Sequence, residues 1–210
     1  MTESFFLKVL PPRQLTLLRR LAADDLCSGF YLAGGTALAL QVGHRRSVDF
    51  DFFAPEPFDT AKKVRDLDGS GKFELFHLDK DTVNGSLNGV RLSYFYYRYP
   101  LIQPLLGYEG LAIARKLDIA AMKLQAIAGR GSRKDFIDMC FLLKEYSLDK
   151  ILTAYSRKFG TRLANRYHVY KSLVYFVDAE EEAMPRMLIP TSWPHVKKAI
   201  IVEVKKYAVL

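Results

Sequence analysis

Apolar and polar positions follow different patterns in the two halves of the chain. In the first half, leucines at helical spacing and short apolar runs between turn residues predict helices and strands. The predicted helices there span 13–25, 36–42 and 59–67, and the predicted strands span 30–33, 48–53, 72–78, 82–87 and 89–97. From residue 115 onward helical periodicity predicts helices at 115–128, 133–145, 148–159, 163–176 and 194–207. This order predicts an α+β fold, a mixed sheet with flanking helices followed by a C-terminal helical region.

Composition limits the classes of protein to which the chain can belong. Half of the residues are hydrophobic and 26% are charged, as in globular proteins. No apolar run approaches the roughly 20 residues of a membrane-spanning helix, and the first residues do not resemble a signal peptide. We therefore expect a cytoplasmic protein that does not enter a membrane. Cys27 and Cys140 are too few for a disulfide framework and lack the histidine spacing of a zinc site.

Residues 34–53, GGTALALQVGHRRSVDFDFF, carry the strongest candidate chemistry. Alternate side chains of a strand share a face, so Asp49 and Asp51 are expected on one side of the strand predicted there. Two such carboxylates repel each other unless a cation lies between them, and oxygen ligands suit a hard divalent ion such as Mg²⁺. Gly34 and Gly35 allow the backbone to approach an anion at the start of a helix. A nucleoside triphosphate with its metal fits such a site.

Each of these features also has an ordinary structural explanation. A Gly-Gly pair is commonly a turn, an Asp-x-Asp pair commonly lies on solvated surface, and Thr36 suits the N-cap of a helix. The three basic residues 44–46 form a turn before the predicted strand. The order strand, Gly-Gly-Thr, helix, basic turn and Asp-Phe-Asp-Phe is more specific than any of its parts.

In this order the chain resembles the AbiEii-type nucleotidyltransferases of the DNA polymerase β-like superfamily. The resemblance continues in DIAAMKLQAIAGRGSRKDFIDMCFLL, residues 118–143, and in MPRMLIPTSWPHVKKAI, residues 184–200. It implies a polymerase β-like nucleotidyltransferase core at 1–110 and a helical region at 111–210 that completes the active site. It also implies metal ligation by Asp49 and Asp51, and nucleotide binding by Gly34, Gly35, Thr36, Arg46 and Lys123.

Lys123 and Asp138 lie on predicted helices of the second half. Apolar residues share the face of Lys123, so its ammonium is expected to be partly buried near an anion, unless it reaches water instead. Asp138 is expected to face inward, whereas a capping box with Ser132 explains Asp135. The resemblance matches Lys123 and Asp138 to later family motifs and implies catalytic roles. A salt bridge from Asp138 to Lys123 or Arg130 is the structural alternative.

The strand predicted at 89–97 lacks an acid where many polymerase β-like enzymes carry a third metal-binding carboxylate. Ser93 lies near the expected place, and Asp79 and Asp81 have the local sequence of turn residues. We therefore expect one well-held metal, with any second ion held mostly by substrate phosphates.

Together these features predict a metal-dependent nucleotidyltransferase that uses Mg²⁺ or Mn²⁺. The net charge of +8 suits a polyanionic acceptor, although many basic proteins bind no nucleic acid. The resemblance implies an RNA acceptor such as tRNA, a role as a toxin of a toxin–antitoxin or phage-defence system, and a cognate antitoxin as partner. Transfer to a small molecule or a protein is one alternative, and an inactive relative that only binds nucleotide or a partner is another.

Overall fold

The computed structural model describes residues 5–160 and 165–207. The helices are α1 (Pro12–Ala23), α2 (Gly34–Val42), α3 (Thr60–Ser70), α4 (Lys116–Arg130), α5 (Arg133–Leu142), α6 (Leu148–Phe159), α7 (Arg166–Leu173), α8 (Val177–Glu180) and α9 (Trp193–Lys205). The strands are β1 (Tyr31–Ala33), β2 (Phe50–Ala54), β3 (Phe73–Asp79), β4 (Thr82–Leu87), β5 (Val90–Tyr96), β6 (Leu106–Tyr108) and β7 (Leu111–Ile113). A short 3₁₀ helix, Leu7–Val9, precedes α1. The α+β class predicted from the sequence is confirmed.

The described strands form one mixed sheet in the order β3-β4-β5-β2-β1-β7-β6. β2 pairs in parallel with β5, and β1 pairs in parallel with β7, while the remaining neighbours are antiparallel. On β2, Phe50 and Phe52 are fully buried in the core. Because side chains alternate along a strand, Asp51 points to the other face of the sheet. The alternation of phenylalanine and aspartate therefore fixes which face carries the polar chemistry.

The helical region is organised around α4, which packs against α2, α5, α6 and α7. Its buried residues include Leu117, Ile119, Ala120 and Leu124, so apolar burial fixes the rotation of the helix. The contact of α4 with α2 places the second half of the chain against the glycine-containing start of α2. Residues of α4 and α5 can therefore reach the polar face beside Asp51.

Several boundaries differ from the sequence-based expectation. α2 begins at Gly34 with Ala33 as its N-cap, so the alternative in which Thr36 caps the helix is wrong. β2 begins at Phe50, which leaves Asp49 just before the strand. The strands β6 and β7 and the helix α8 were not predicted, because segments of three or four residues show no readable period. Residues 163 and 164 of one predicted helix lie outside the described ranges.

The sheet continues past residue 110, where the sequence suggested a division into two regions. β7 begins at Leu111 and pairs with β1 through Tyr31 and Leu32. The division at 110/111 stays a prediction. Cys27 and Cys140 are both buried and unbonded. No helix of the described ranges is long and apolar enough to cross a bilayer.

Candidate active site

Two glycines shape the junction between β1 and α2. Gly34 has φ +65°, and a Cβ there would lie 2.9 Å from Oδ2 of Asp51. At Gly35 a Cβ would overlap the guanidinium of Arg45. Glycine is required at both positions because a carboxylate and a guanidinium lie against the backbone. The Gly-Gly pair therefore brings an acid of β2 and a base of the following turn to the start of one helix.

Thr36 supports the strand that carries the aspartates. Its side chain is buried, and its hydroxyl hydrogen-bonds to the backbone carbonyl of Asp49 and lies 2.7 Å from Oγ of Ser47. These contacts tie the first turn of α2 to the residues just before β2. The hydroxyl of Thr36 therefore positions Asp49, and its predicted contact with nucleotide stays a prediction.

Asp49 and Asp51 line one wall of a cavity of about 160 Å³. Among the described residues, neither carboxylate takes part in an ion pair. Burial raises the pKa of Asp51 to about 6, with a further increase from Asp49 and an opposing effect of Lys123. The effect of burial on Asp51 therefore outweighs that of Lys123, the cation that opposes it.

The same cavity collects most of the side chains that the sequence indicated. Its lining consists of Gly35, Thr36, Arg45, Arg46, Ser47, Val48, Asp49, Asp51, Lys123, Ser132, Lys134 and Asp135. Gly34 lies next to it, against Asp51. The Nε atom of Arg46 is buried without a hydrogen-bond partner in the described residues. The cavity thus combines a carboxylate wall with cationic groups from the basic turn and from α4 and α5.

Asp138 is fully buried behind this cavity, and three basic side chains contact its carboxylate. Its Oδ1 accepts hydrogen bonds of 2.7 Å from Nε of Arg45 and from Nε2 of His44. Its Oδ2 accepts from Nη2 of Arg45 at 2.8 Å and lies 2.7 Å from Nζ of Lys123. Burial opposes ionisation, but Lys123 and Arg45 outweigh it and hold the pKa of Asp138 well below 3.8. Asp138 is therefore a carboxylate with no free oxygen.

Lys123 is held between two acids at the cavity wall. Its Nζ lies 2.7 Å from Oδ2 of Asp138 and 2.8 Å from Oδ1 of Asp135. Burial lowers its pKa, but Asp138 and Asp135 raise the pKa to a net value above 10.5. The expectation of a buried lysine beside an anion is confirmed. Asp135 also forms the predicted capping box with Ser132, so one carboxylate both starts α5 and orients Lys123.

The partners of Asp138 were predicted only in part. Lys123 is a partner, but Arg130 is exposed, and Arg45 makes the bidentate contact instead. His44 is fully buried, and burial lowers its pKa, so the neutral ring donates Nε2–H to Asp138. Both partners were missed from the sequence, since residues 44–46 were predicted only as a basic turn before the strand.

The segment between α8 and α9 that contains Met187 fixes the backbone of this basic turn. The amide of Arg46 donates to the carbonyl of Arg186 at 2.8 Å, and that of Leu188 donates to the carbonyl of His44 at 2.8 Å. Arg45 and Met187 form an isolated antiparallel bridge. This segment thus holds the turn so that Arg45 reaches Asp138, while both Arg45 and Arg46 line the cavity.

Arg133 and Lys134, at the start of α5, have different surroundings. Arg133 is buried, donates to the carbonyl of Ala179 at 2.8 Å, and lies 4.9 Å from the ring centre of Trp193. It therefore joins α5 to α8 and α9. Lys134 is exposed and lines the cavity. Of the two, only Lys134 is placed to meet a ligand there.

The position next to Asp51 on β5 is occupied by Ser93, its register partner. Asp79 is the last residue of β3, and Asp81 follows it in the turn before β4. In the part of the chain that the structure describes, no group of three or more His, Cys, Asp or Glu side chains is placed to hold a metal. The carboxylates available to an ion in the cavity are therefore the pair Asp49 and Asp51, with Asp135 engaged by Lys123.

Known structures share this fold. JHP933 from Helicobacter pylori has a TM-score of 0.57 at 18% identity, with 94% of this chain and 92% of that chain covered. The antibiotic-resistance factor ANT(2'')-Ia has a TM-score of 0.55 at 14% identity, with 76% of this chain and 97% of that chain covered. The sheet and its flanking helices therefore resemble nucleotidyltransferase folds.

Sequence comparison identifies a family domain within that fold class. The model described as nucleotidyl transferase AbiEii toxin of type IV toxin–antitoxin systems matches residues 16–93, from α1 to β5. The protein aq_aa25 of Aquifex aeolicus (strain VF5) is 39% identical over 210 residues, covering 96% of this chain and 98% of that protein. Residues 16–93, which include the glycine turn and the aspartate pair, therefore match the AbiEii nucleotidyltransferase toxin domain. The protein is a nucleotidyltransferase.

Proposed function

We propose that this protein is a metal-dependent enzyme that transfers a nucleoside monophosphate from a nucleoside triphosphate to an acceptor hydroxyl of RNA, with tRNA the first candidate. One observation carries the proposal. Asp49 and Asp51, free of ion pairs among the described residues, share a cavity of about 160 Å³ with Arg46 and Lys123. Carboxylates and cations in one cavity suit a ligand that is anionic and also carries a metal ion.

Asp49 and Asp51 have the donor chemistry to hold a divalent ion. Their oxygens are the ligands that Mg²⁺ prefers, and Mn²⁺ accepts the same donors. Burial raises the pKa of Asp51 despite the opposing charge of Lys123, and neither carboxylate forms an ion pair in the described residues. When bound, the ion neutralises phosphate charge and orients the phosphates.

Backbone and side-chain groups in and next to the cavity bind and orient the triphosphate. The N–H groups at Gly34 and Gly35, at the start of α2, and the guanidinium of Arg46 face its phosphates. Lys123 stabilises the negative charge that develops on the pyrophosphate as the bond from the α-phosphorus breaks. The acceptor oxygen forms the new bond to that phosphorus, and its proton passes to solvent.

Asp138 acts in this scheme by positioning other groups. Both of its oxygens accept hydrogen bonds from cations or from His44, and its pKa is held well below 3.8. A carboxylate in this state is a poor proton acceptor at neutral pH. It fixes Lys123 at the cavity wall, and it fixes Arg45 against Gly35.

The physiological role proposed for the protein is that of a toxin controlled by a cognate antitoxin, in a toxin–antitoxin or phage-defence system. The match to the AbiEii toxin domain supports this role. The net charge of +8 supports an RNA acceptor, because a basic surface attracts polyanions.

Label transfer tests the proposed reaction directly. Each of the four α-labelled nucleoside triphosphates is incubated with Mg²⁺, total tRNA and the wild-type protein, the Asp49→Asn variant, or the Asp68→Asn variant as a charge-matched control. Asp68 is exposed on α3. We expect label on tRNA with the wild type and Asp68→Asn, and a loss of about 100-fold or more with Asp49→Asn. Label on the protein alone would replace the RNA acceptor with a protein, and no label on any acceptor would overturn the proposal.

A further inference from the structure

A second group of polar side chains lies on the same sheet face as Asp51, on the neighbouring strands. Asp51 of β2 pairs with Ser93 of β5, and Ser93 pairs with Asn84 of β4. Residues directly opposite each other on paired strands share a face. Arg91 lies two residues before Ser93 on β5 and therefore points to this face as well. We call Arg91, Ser93 and Asn84 the polar patch.

The polar patch has unused hydrogen-bonding capacity. Oδ1 of Asn84 is buried without a hydrogen-bond partner in the described residues. Arg91 is exposed and, within the same residues, forms no ion pair or side-chain hydrogen bond, and the hydroxyl of Ser93 has no protein partner there. Buried polar groups in folded proteins are nearly always paired, and an unmade hydrogen bond is costly. Groups left unpaired beside a candidate active site are suited to a ligand.

The position of the polar patch relative to Asp51 indicates which ligand it faces. β2 lies between β1 and β5 in the sheet. Gly34 follows β1, and Lys123 reaches the cavity from α4, so the groups suited to the phosphates lie on the β1 side of Asp51. In phosphoryl transfer the attacking and leaving oxygens are roughly in line on opposite sides of the phosphorus. With pyrophosphate leaving toward the β1 side, the attacking hydroxyl must approach from the β5 side.

We propose, resting on the function proposed above, that the polar patch is the acceptor site and that it selects a hydroxyl next to a phosphodiester. Ser93 and Asn84 hydrogen-bond the sugar of the terminal nucleotide. Arg91 pairs with the adjacent backbone phosphate, since a guanidinium matches phosphate oxygens in charge and geometry. The patch thus offers two neutral hydrogen-bonding groups for the sugar and one cation for the phosphate. The acceptor class is therefore the end of a nucleic acid strand.

Kinetics with total tRNA as the acceptor probe test the polar patch. Arg91→Ala should raise KM for tRNA by about tenfold and flatten the log–log salt dependence of KM by about 0.7, because one phosphate contact is lost. Arg65→Ala removes the same charge from an exposed position on α3 and should change neither value. Ser93→Ala should lower kcat/KM for tRNA by about tenfold, and Ser93→Thr, which keeps the hydroxyl, should restore most of it. Binding of Mg²⁺–nucleoside triphosphate should stay unchanged in all four variants.

The outcomes separate this inference from the function on which it rests. A wild type that transfers label to tRNA, with Arg91→Ala and Ser93→Ala showing unaltered KM, kcat and salt dependence, would overturn the acceptor site alone. A wild type that transfers label to no acceptor would overturn the proposed function first. Equal loss of triphosphate binding and of tRNA transfer in Arg91→Ala would assign Arg91 to the fold or the triphosphate site and would also overturn the inference.

Discussion

Asp138 and Asp51 are two carboxylates of one region with opposite surroundings. Asp138 is fully buried and contacts Arg45, Lys123 and His44, whereas Asp51 forms no ion pair among the described residues. The pKa of Asp138 is held well below 3.8 by its cations, and that of Asp51 is raised to about 6 by burial and Asp49. Burial acts on both groups in the same direction, so the presence of countercharge decides the difference.

This difference separates a carboxylate that stabilises the fold from one that is available to a ligand. The charge of Asp138 is neutralised inside the protein, which fixes Arg45 and Lys123 in place. The charge of Asp51 is not neutralised, which costs stability in the free protein but leaves its oxygens open to an ion. A divalent ion that binds this pair only in the folded protein would stabilise the fold by mass action.

The largest effect is expected from removing the charge of Asp138. Asp138→Asn leaves the buried guanidinium of Arg45 without a counterion and should lower the free energy of unfolding by about 3–5 kcal/mol. Urea denaturation at neutral pH measures this loss, with the exposed Asp68→Asn variant as control. A loss below about 1 kcal/mol would show that Asp138 is not the anchor of the cluster.

For Asp51→Asn in metal-free buffer we expect an increase in the free energy of unfolding instead of a decrease. The folded-state pKa of about 6 lies above the ordinary aspartate value of 3.8, so the contribution of this group to stability is present below 3.8 and is lost as pH rises through about 6. The variant should therefore be more stable than wild type by about 1–2 kcal/mol at pH 7.5, and the gain should vanish below about pH 4. Nucleotide transfer should fall by about 100-fold or more.

Denaturation curves from pH 3 to 8 in the presence of a chelator check the stability of this variant. The same pH range distinguishes Asp51 from Asp138. The contribution of Asp138 to stability is present above pH 3.8 and is lost as pH falls below that value. An Asp51→Asn variant that is less stable than wild type at pH 7.5 would contradict the assignment of Asp51 as the unneutralised member of the two.

The smallest change in stability is expected at Thr36, whose hydroxyl contacts the backbone at Asp49. Thr36→Val removes the hydroxyl that hydrogen-bonds to the carbonyl of Asp49 and contacts Ser47. Unfolding free energy should fall by about 1 kcal/mol, and the Mg²⁺ concentration for half-maximal transfer should rise as Asp49 loses its support. Thr36→Ser keeps the hydroxyl and should behave like wild type. Unchanged metal dependence in Thr36→Val would show that the hydroxyl does not position Asp49.

Local patterns predicted the parts of the site that depend on near neighbours. The alternation at 49–52 predicted the common face of two aspartates, and the spacing of Ser132 and Asp135 predicted the capping box. Apolar neighbours of Lys123 predicted its burial beside an acid, which the structure confirms. Each of these predictions rests on one or two turns of helix or on adjacent strand residues, where geometry is regular.

The different surroundings of Arg45 and Arg46 could not be predicted from local sequence patterns. The two residues are adjacent in one basic turn and both line the cavity, yet Arg45 is paired with Asp138, whereas Nε of Arg46 has no hydrogen-bond partner in the described residues. The positions of the two arginines depend on α5, which brings Asp138 to the turn. They also depend on backbone hydrogen bonds between the turn and residues Arg186 and Leu188. Partners more than 90 residues apart in sequence leave no periodic signal in either segment.

Side-chain periodicity and local conformational rules were enough to predict the class of fold, the acidic strand, the glycine turn and the lysine that needs an anion. Which carboxylates carry countercharge depends on the tertiary structure. The tertiary structure also places Ser93 beside Asp51, and Asn84 beside Ser93, because β5 lies between β4 and β2 in the sheet. Strand pairing and helix packing join distant segments, and the energy of a charge depends on the neighbours that this packing supplies.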